Sequence, residues 1–194
     1  MNEVAAGTFL GLRNLEDLPM SNNDVSILRV GTFVDLGRLQ ELDLSSNRIE
    51  DIEPGAFAGL RSLESLKMKS DRNALAVLRN GTFEGLGALG GTLDLSHSGI
   101  QSIEPGAFVG LHNLEILTLA FNDLTILQAN TFLGLENLKE LELQGNWRLT
   151  IETIETGAFA GLDSLESIMF LETGGIICGT LHATGELPQS VTCW

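Results

Sequence analysis

The phrase Gly-(Ala/Thr)-Phe-x-x-Leu recurs along this chain and sets phenylalanines at Phe9, Phe33, Phe57, Phe83, Phe108, Phe132 and Phe159, with Asn130 in the glycine position before Phe132. Each is followed by a stretch of the form Leu-x-x-Leu-x-Leu-x-x-Asn. The clearest copy runs Leu39, Leu42, Leu44, Asn47, Ile49, Ile52, Phe57, Leu60, and the next begins at Leu63, which gives a period of 24 residues. Repetition of this length leaves few architectures open: each unit is too small to bury its own apolar face, and only stacked copies make a continuous core.

Each part of the repeat has a physical job. The period of two in Leu-x-Leu predicts a short strand whose leucines point inward. The Asn positions (Asn23, Asn47, Asn122, Asn146) fall where the chain leaves the strand, and a buried carboxamide there can bond backbone groups that no ladder satisfies. The phenylalanines follow Pro-Gly or Thr-Gly turns and are expected to stack as a spine. Seven strands are predicted, centred on Leu18, Leu42, Leu66, Leu93, Leu117, Leu141 and Ile168. Extra residues interrupt the period around Ser70-Asp71-Arg72, near Gly90-Gly91, and around Trp147-Arg148-Leu149. Insertions in solenoids go to loops, often on a rim used for binding. Ser98 stands where the pattern expects Asn.

The formal charge is -15, and the calculated isoelectric point is near 4.4. Nucleic acids and anionic membranes recruit basic surfaces, so this balance argues against both as partners. No run of 18 apolar residues occurs, hence no membrane-spanning helix is expected. Met1-Asn2-Glu3-Val4 lacks the charged-then-apolar pattern of a signal peptide, so a secreted form would have its leader outside this chain.

A search for catalytic constellations comes back empty. His97, at a strand end, His112, before the next strand, and His182 occupy unrelated repeat positions, and none stands in HxxxH or HExxH spacing. There is no Gly-x-Ser-x-Gly elbow and no GxxxxGK[ST] loop. No cofactor, metal site or enzymatic activity is expected. The acids lack the DxDxDG spacing that holds calcium tightly. Asn80-Gly81-Thr82 reads as an N-glycosylation sequon, although Thr82 also fills the repeat position held elsewhere by Thr8, Thr32 and Thr131.

Strand alternation names the exposed face of the sheet. With leucines inward, the flanking positions face out. They include Asp17, Glu41, Asp43, Lys67, Asp94, Glu140 and Glu142. Six of the 21 outward positions are acidic against 26 of 194 residues overall, an enrichment of about twofold. Neighbouring strands lie about 4.8 Å apart, so Lys67 is expected between Asp43 and Asp94. Asp17 with Glu41 and Asp43, and Glu140 with Glu142, are left less compensated. A solvated sheet protected from aggregation by charge is the alternative to a binding face. Ile116, Phe121, Met169 and Leu171 add apolar side chains facing out near the C-terminal end. Trp147 stands in an insertion, and a C-terminal cap could cover Met169 and Leu171.

The run Leu-x-x-Leu-x-Leu-x-x-Asn-x-Ile-x-x-Ile-x-Pro-Gly-Ala-Phe-x-Gly-Leu resembles the typical leucine-rich repeat of animal extracellular proteins. Toll-like receptor ectodomains and the variable lymphocyte receptors carry it, as do Slit-like guidance proteins and small proteoglycans. The resemblance spans Val4 to about Leu171. It implies an α/β solenoid: a horseshoe with a parallel concave sheet of about seven strands, turns or short helical segments on the convex side, and a small C-terminal cap. Residues 1–171 would form the solenoid, with an incomplete first repeat at 1–14, and residues 172–194 the cap.

Departures from the family are equally clear. Family members usually carry a cysteine-rich N-terminal cap, whereas this sequence starts inside a repeat at Val4 to Leu12. In place of the usual four-cysteine C-terminal cap with its Asn-Pro-Trp-x-Cys-x-Cys entry stands a segment holding Cys178 and Cys193. These are expected to form one disulfide, the alternative being two free buried thiols. By resemblance the chain is an extracellular recognition module, secreted or part of an ectodomain, of innate-immune or variable-lymphocyte-receptor type. It would bind microbial surface components or protein through its acidic face, with cationic or amine-bearing ligands favoured. A matrix or adhesion scaffold is the alternative.

Overall fold

The computed structural model describes residues 4–69, 72–170 and 174–194. Its strands run in chain order: β1 (Asp17–Pro19), β2 (Ile27–Leu28), β3 (Glu41–Asp43), β4 (Asp51–Ile52), β5 (Ser65–Lys67) and β6 (Val77–Leu78). Then follow β7 (Gly91–Asp94), β8 (Ser102–Ile103), β9 (Leu114–Thr118), β10 (Glu140–Glu142), β11 (Ser167–Met169), the helix α1 (Gly174–Thr184) and β12 (Thr192–Cys193). Every pairing is parallel, as it must be when each coil returns to start one layer further along.

The long face carries β1-β3-β5 and β7-β9-β10-β11-β12. Seven of these strands lie where the repeat predicts them, and β12, from the C-terminal segment, adds an eighth. The two ladders meet at β5 and β7, which pack side by side without ladder pairing among the described residues. Two of the three irregularities of the repeat fall at that junction, the third lying at Trp147-Arg148-Leu149. Ser70 and Asp71 lie outside the described residues, and the β7–β9 register slips between Gly91 and Thr92. On the opposite side are the two-residue pairs β2–β4 and β6–β8, an isolated bridge from Leu127 to Ile154, and a 3-10 turn at Ile151–Thr153.

The phenylalanine spine is continuous. From Phe9 to Phe159 neighbouring rings stack at centroid separations of 5.7 to 6.1 Å, tilted by no more than 16°. Stacking rings so closely brings the coil backbones together just beyond them. A Cβ on Gly85, where φ is +101°, would lie 2.8 Å from the Phe57 carbonyl oxygen, and one on Gly134 equally close to that of Phe108. The glycine in the Phe-x-Gly-Leu run is therefore fixed by backbone approach.

The asparagines form the second internal ladder. Asn47 Oδ1 accepts the Val25 N–H at 3.0 Å, while its Nδ2 donates to the Met20 and Leu44 carbonyls at 2.9 Å each. Asn146 repeats the pattern with the Leu124 N–H and the Leu119 and Leu143 carbonyls. The ladder also includes Asn73, whose Oδ1 accepts the Ile49 N–H at 2.8 Å. The two-residue insertion displaces Asn73 from its place in the repeat, which is why the pattern passes over it. At the first coil, Asn23 bonds only the nearby Met20 and Ser21 carbonyls and is exposed.

The C-terminal segment closes the last coil. Ile177, Cys178 and Leu181 of α1, with Leu187 and Val191 beyond it, bury apolar surface in the core. The Cys178–Cys193 disulfide ties the helix to β12, so the expected pairing is formed and the two cysteines are not free thiols.

Candidate functional site

The sheet face places all seven singled-out residues as outward positions of its strands. Asp17 pairs with Glu41 across β1–β3, and Asp43 pairs with Lys67 across β3–β5. Glu140 lies beside Ile116 and Ser167, and Glu142 beside Thr118 and Met169. Inward Leu42, Leu66, Leu93, Leu117, Leu141 and Ile168 are buried between them, the consequence of a side-chain period of two.

Lys67 and Asp94 are not brought together in the expected way. β5 and β7 share no register, and Asp94 instead ion-pairs with Lys69, two residues further along, at 3.6 Å. Lys67 is left to Asp43. Among the described residues no basic side chain pairs with Asp17, Glu41, Glu140 or Glu142. The uncompensated acids therefore fall into two groups, one on β1–β3 and one on β10.

A short device recurs beside these acids. The hydroxyl and N–H of Ser45 donate to Asp43 Oδ1 at 2.6 and 2.9 Å, and Ser96 treats Asp94 the same way. Burial alone would push the Asp43 carboxyl up. The Ser45 hydroxyl and N–H, a further bond with Ser21, and the charge of Lys67 outweigh it and hold the carboxyl below its ordinary range. On β10 the Thr118 hydroxyl donates to Glu142 Oε2 at 3.1 Å and the Gln144 amide approaches the same oxygen at 3.4 Å. These carboxylates are oriented acceptors.

A hollow of about 210 Å³ opens beside Glu142, lined by Asp94, Thr118 and Gln144 and rimmed by His97 and Phe121. The two rings stack with centroids 4.7 Å apart and an interplanar angle of 11°. Phe121 is 47 % exposed. Neither residue was assigned chemistry from sequence. His97 stood outside every catalytic spacing, and Phe121 was noted only as apolar and outward. Trp147, in its insertion, is 73 % exposed, while Ile116 and Met169 are half-buried. Leu171 lies outside the described residues.

Positive charge gathers away from this face. Arg13, Arg38 and Arg61 surround a hollow of about 440 Å³ with Asp35 the acid in its lining, so the net charge of the chain does not describe its whole surface. Asn80 is exposed, its amide nitrogen donating to the Pro105 carbonyl at 3.0 Å. The Thr82 hydroxyl caps the Arg79 carbonyl at 2.7 Å, as the Thr8 and Thr131 hydroxyls cap the carbonyls of Ala5 and Gln128. Thr82 thus has a structural use independent of the sequon.

Parallel coils, a phenylalanine spine and an asparagine ladder define a repeat solenoid. The Leucine rich repeat family matches residues 1–49, 27–72, 38–90, 71–124 and 91–147, and the chain belongs to that family. Among solved structures it is similar to the TLR13–ssRNA13 complex, with 32% identity and a TM-score of 0.72 over 85% of this chain. It is also similar to the Toll–Spatzle complex of Drosophila, with 26% identity and a TM-score of 0.66 over 87% of this chain. The chain spans 22% of each of those two proteins' chains. Human 5T4, at 22% identity and a TM-score of 0.63, shares the fold, over 99% of this chain and 74% of that one. None of the curated proteins matches the chain.

Proposed function

We propose that this chain is an extracellular ligand-recognition module of innate-immune type that binds protein or microbial surface components through its acidic sheet face. The observation that carries the reading is the set Asp17, Glu41, Glu140 and Glu142, four outward carboxylates with no basic partner among the described residues. Like charges on neighbouring strands oppose each other and are destabilising, and a cationic ligand relieves that cost. Amine-bearing targets fit: a basic protein, or a cell-wall polymer carrying alanyl esters. The similarity to Toll and TLR13, each solved in a complex, supports a binding role without naming the ligand, because fold alone does not fix function.

The test compares the chain with its Glu41→Lys and Glu140→Lys variants on whole bacteria, and on bacteria lacking the alanyl esters, at low and high salt. Retention that falls with salt, with either substitution and with ester loss supports the reading. Retention indifferent to all three excludes this face. Matrix adhesion is the second reading, favoured by the exposure of Trp147. Retention on matrix proteins alone, abolished by Trp147→Ala, would select it.

A further inference from the structure

The geometry points to an arginine-binding subsite beside Phe121, in which the guanidinium of a protein partner stacks on the Phe121 ring and pairs with Glu142. This inference rests on the reading of the sheet face as the binding surface and names one ligand group for one part of it.

The first observation is conformational. His97 and Phe121 occupy the position just after the strand in successive coils, with φ of +56° and +54°. Asn22 and Ser46 hold the same position earlier in the chain and Gly145 holds it later, all with positive φ. Asn and Gly adopt this conformation cheaply, whereas a bulky aromatic residue is a genuine outlier there. Histidine is itself among the residues enriched in this conformation, so the outlier is Phe121, a ring where a small polar residue or glycine would cost less. Backbone outliers of this kind cluster at ligand sites.

The second observation is what ends the stack. His97 covers one side of Phe121. On the next coil comes Gly145, with no side chain, and the Phe121 ring lies across it: a Cβ there would stand 2.5 Å from Phe121 Cδ1. An aromatic group ordinarily buries itself, yet this ring stays half exposed at the rim of a hollow. It is held open by a glycine that cannot be replaced without displacing it.

The third is the polar lining. Glu142 lies three residues before Gly145 on the same coil, its Oε2 oriented by Thr118 and Gln144, and no basic side chain among the described residues pairs with it. Gln144 Oε1 is buried with no hydrogen-bond partner. Lys69, the cation in the lining, is committed to Asp94 and stands three strands from Glu142, about 14 Å away at the usual strand spacing. A flat cation with several coplanar donors answers these features together. Its face stacks on the ring and its edge reaches the carboxylate. An ammonium group has the charge but cannot stack as a plane.

The experiment is an NMR titration of the full chain with N-acetyl-arginine amide, and separately with N-acetyl-lysine amide. The expected result is saturable shifts centred on His97, Phe121, Gln144 and Gly145 with the arginine probe, severalfold weaker with lysine. Phe121→Leu, which keeps bulk but removes the π face, should weaken arginine binding severalfold, and so should Glu142→Gln. Spectra of Phe9–Phe57 report whether the fold is retained. Equal affinity for both probes, or unchanged affinity in either variant, overturns the assignment. Shifts confined to Asp17, Glu41 and Asp43 overturn the subsite while leaving the acidic face as the binding surface. No shifts on the sheet face with either probe would remove both.

Discussion

The carboxamide oxygen of Asn122 accepts the main-chain N–H of Ser98 at 3.0 Å and that of Ile100 at the same distance. Its nitrogen donates to the Leu95 and Leu119 carbonyls at 3.0 and 2.9 Å. Ser98 is too short to do for the preceding coil what Asn122 does for it. Instead the Ser98 backbone carbonyl accepts the Leu75 N–H at 2.8 Å, the group a carboxamide oxygen would have taken. The serine is tolerated because both neighbouring coils find other partners.

Asn122→Ala should therefore be among the costly single changes. It strands two donors and two acceptors in the core, each unsatisfied group costing about 1–3 kcal/mol. We expect a loss of about 3 kcal/mol or more in urea unfolding. Asn23→Ala, at an exposed position, should cost less than about 1 kcal/mol. Equal losses would show that the ladder does not contribute through buried bonds.

Asp43 gives a pH signature. Its folded pKa lies below the unfolded value of about 3.9. Its contribution to stability is therefore fully present above the unfolded pKa and is lost as pH falls through the folded one. Asp43→Asn keeps an acceptor for Ser45 but removes the charge. The variant should have a lower urea midpoint than the parent at neutral pH, and the gap should close in strong acid. A gap that persists unchanged at low pH would mean that hydrogen-bond geometry, and not charge, is responsible.

The Cys178–Cys193 bond closes a loop with a sequence separation of 15, for which restriction of the unfolded chain contributes about 3 kcal/mol. Because each coil contacts only its neighbours, the effect should be local. Reduction should raise amide exchange in α1, β11 and β12 while leaving the coils around Phe57 protected. Non-reducing peptide mapping should recover the two cysteines linked, and two free thiols after denaturation without reductant would disprove the bond.

Much of this molecule was legible from the chain because a repeat is a one-dimensional signal. The spacing of Phe33, Phe57 and Phe83 fixes that the rings stack, and the alternation in Glu41-Leu42-Asp43 fixes which side chains leave the core. Both follow from backbone periods that hold whatever the neighbours are. Asn73 was hidden because Ser70 and Asp71 shift it out of phase, although its bond to Ile49 is the same as its counterparts'.

What only the tertiary structure decided is how side chains meet across coils. That Asp94 goes to Lys69 and not Lys67 follows from the break between β5 and β7, where no shared register holds outward residues opposite one another. That Phe121 stacks on His97 and lies over Gly145 depends on left-handed backbone at three positions 24 residues apart, a geometry that composition and periodicity do not encode. The sequence determined a solenoid with an acidic face. The three-dimensional stacking decided which acids keep a cation and which, like Glu142, have none among the described residues.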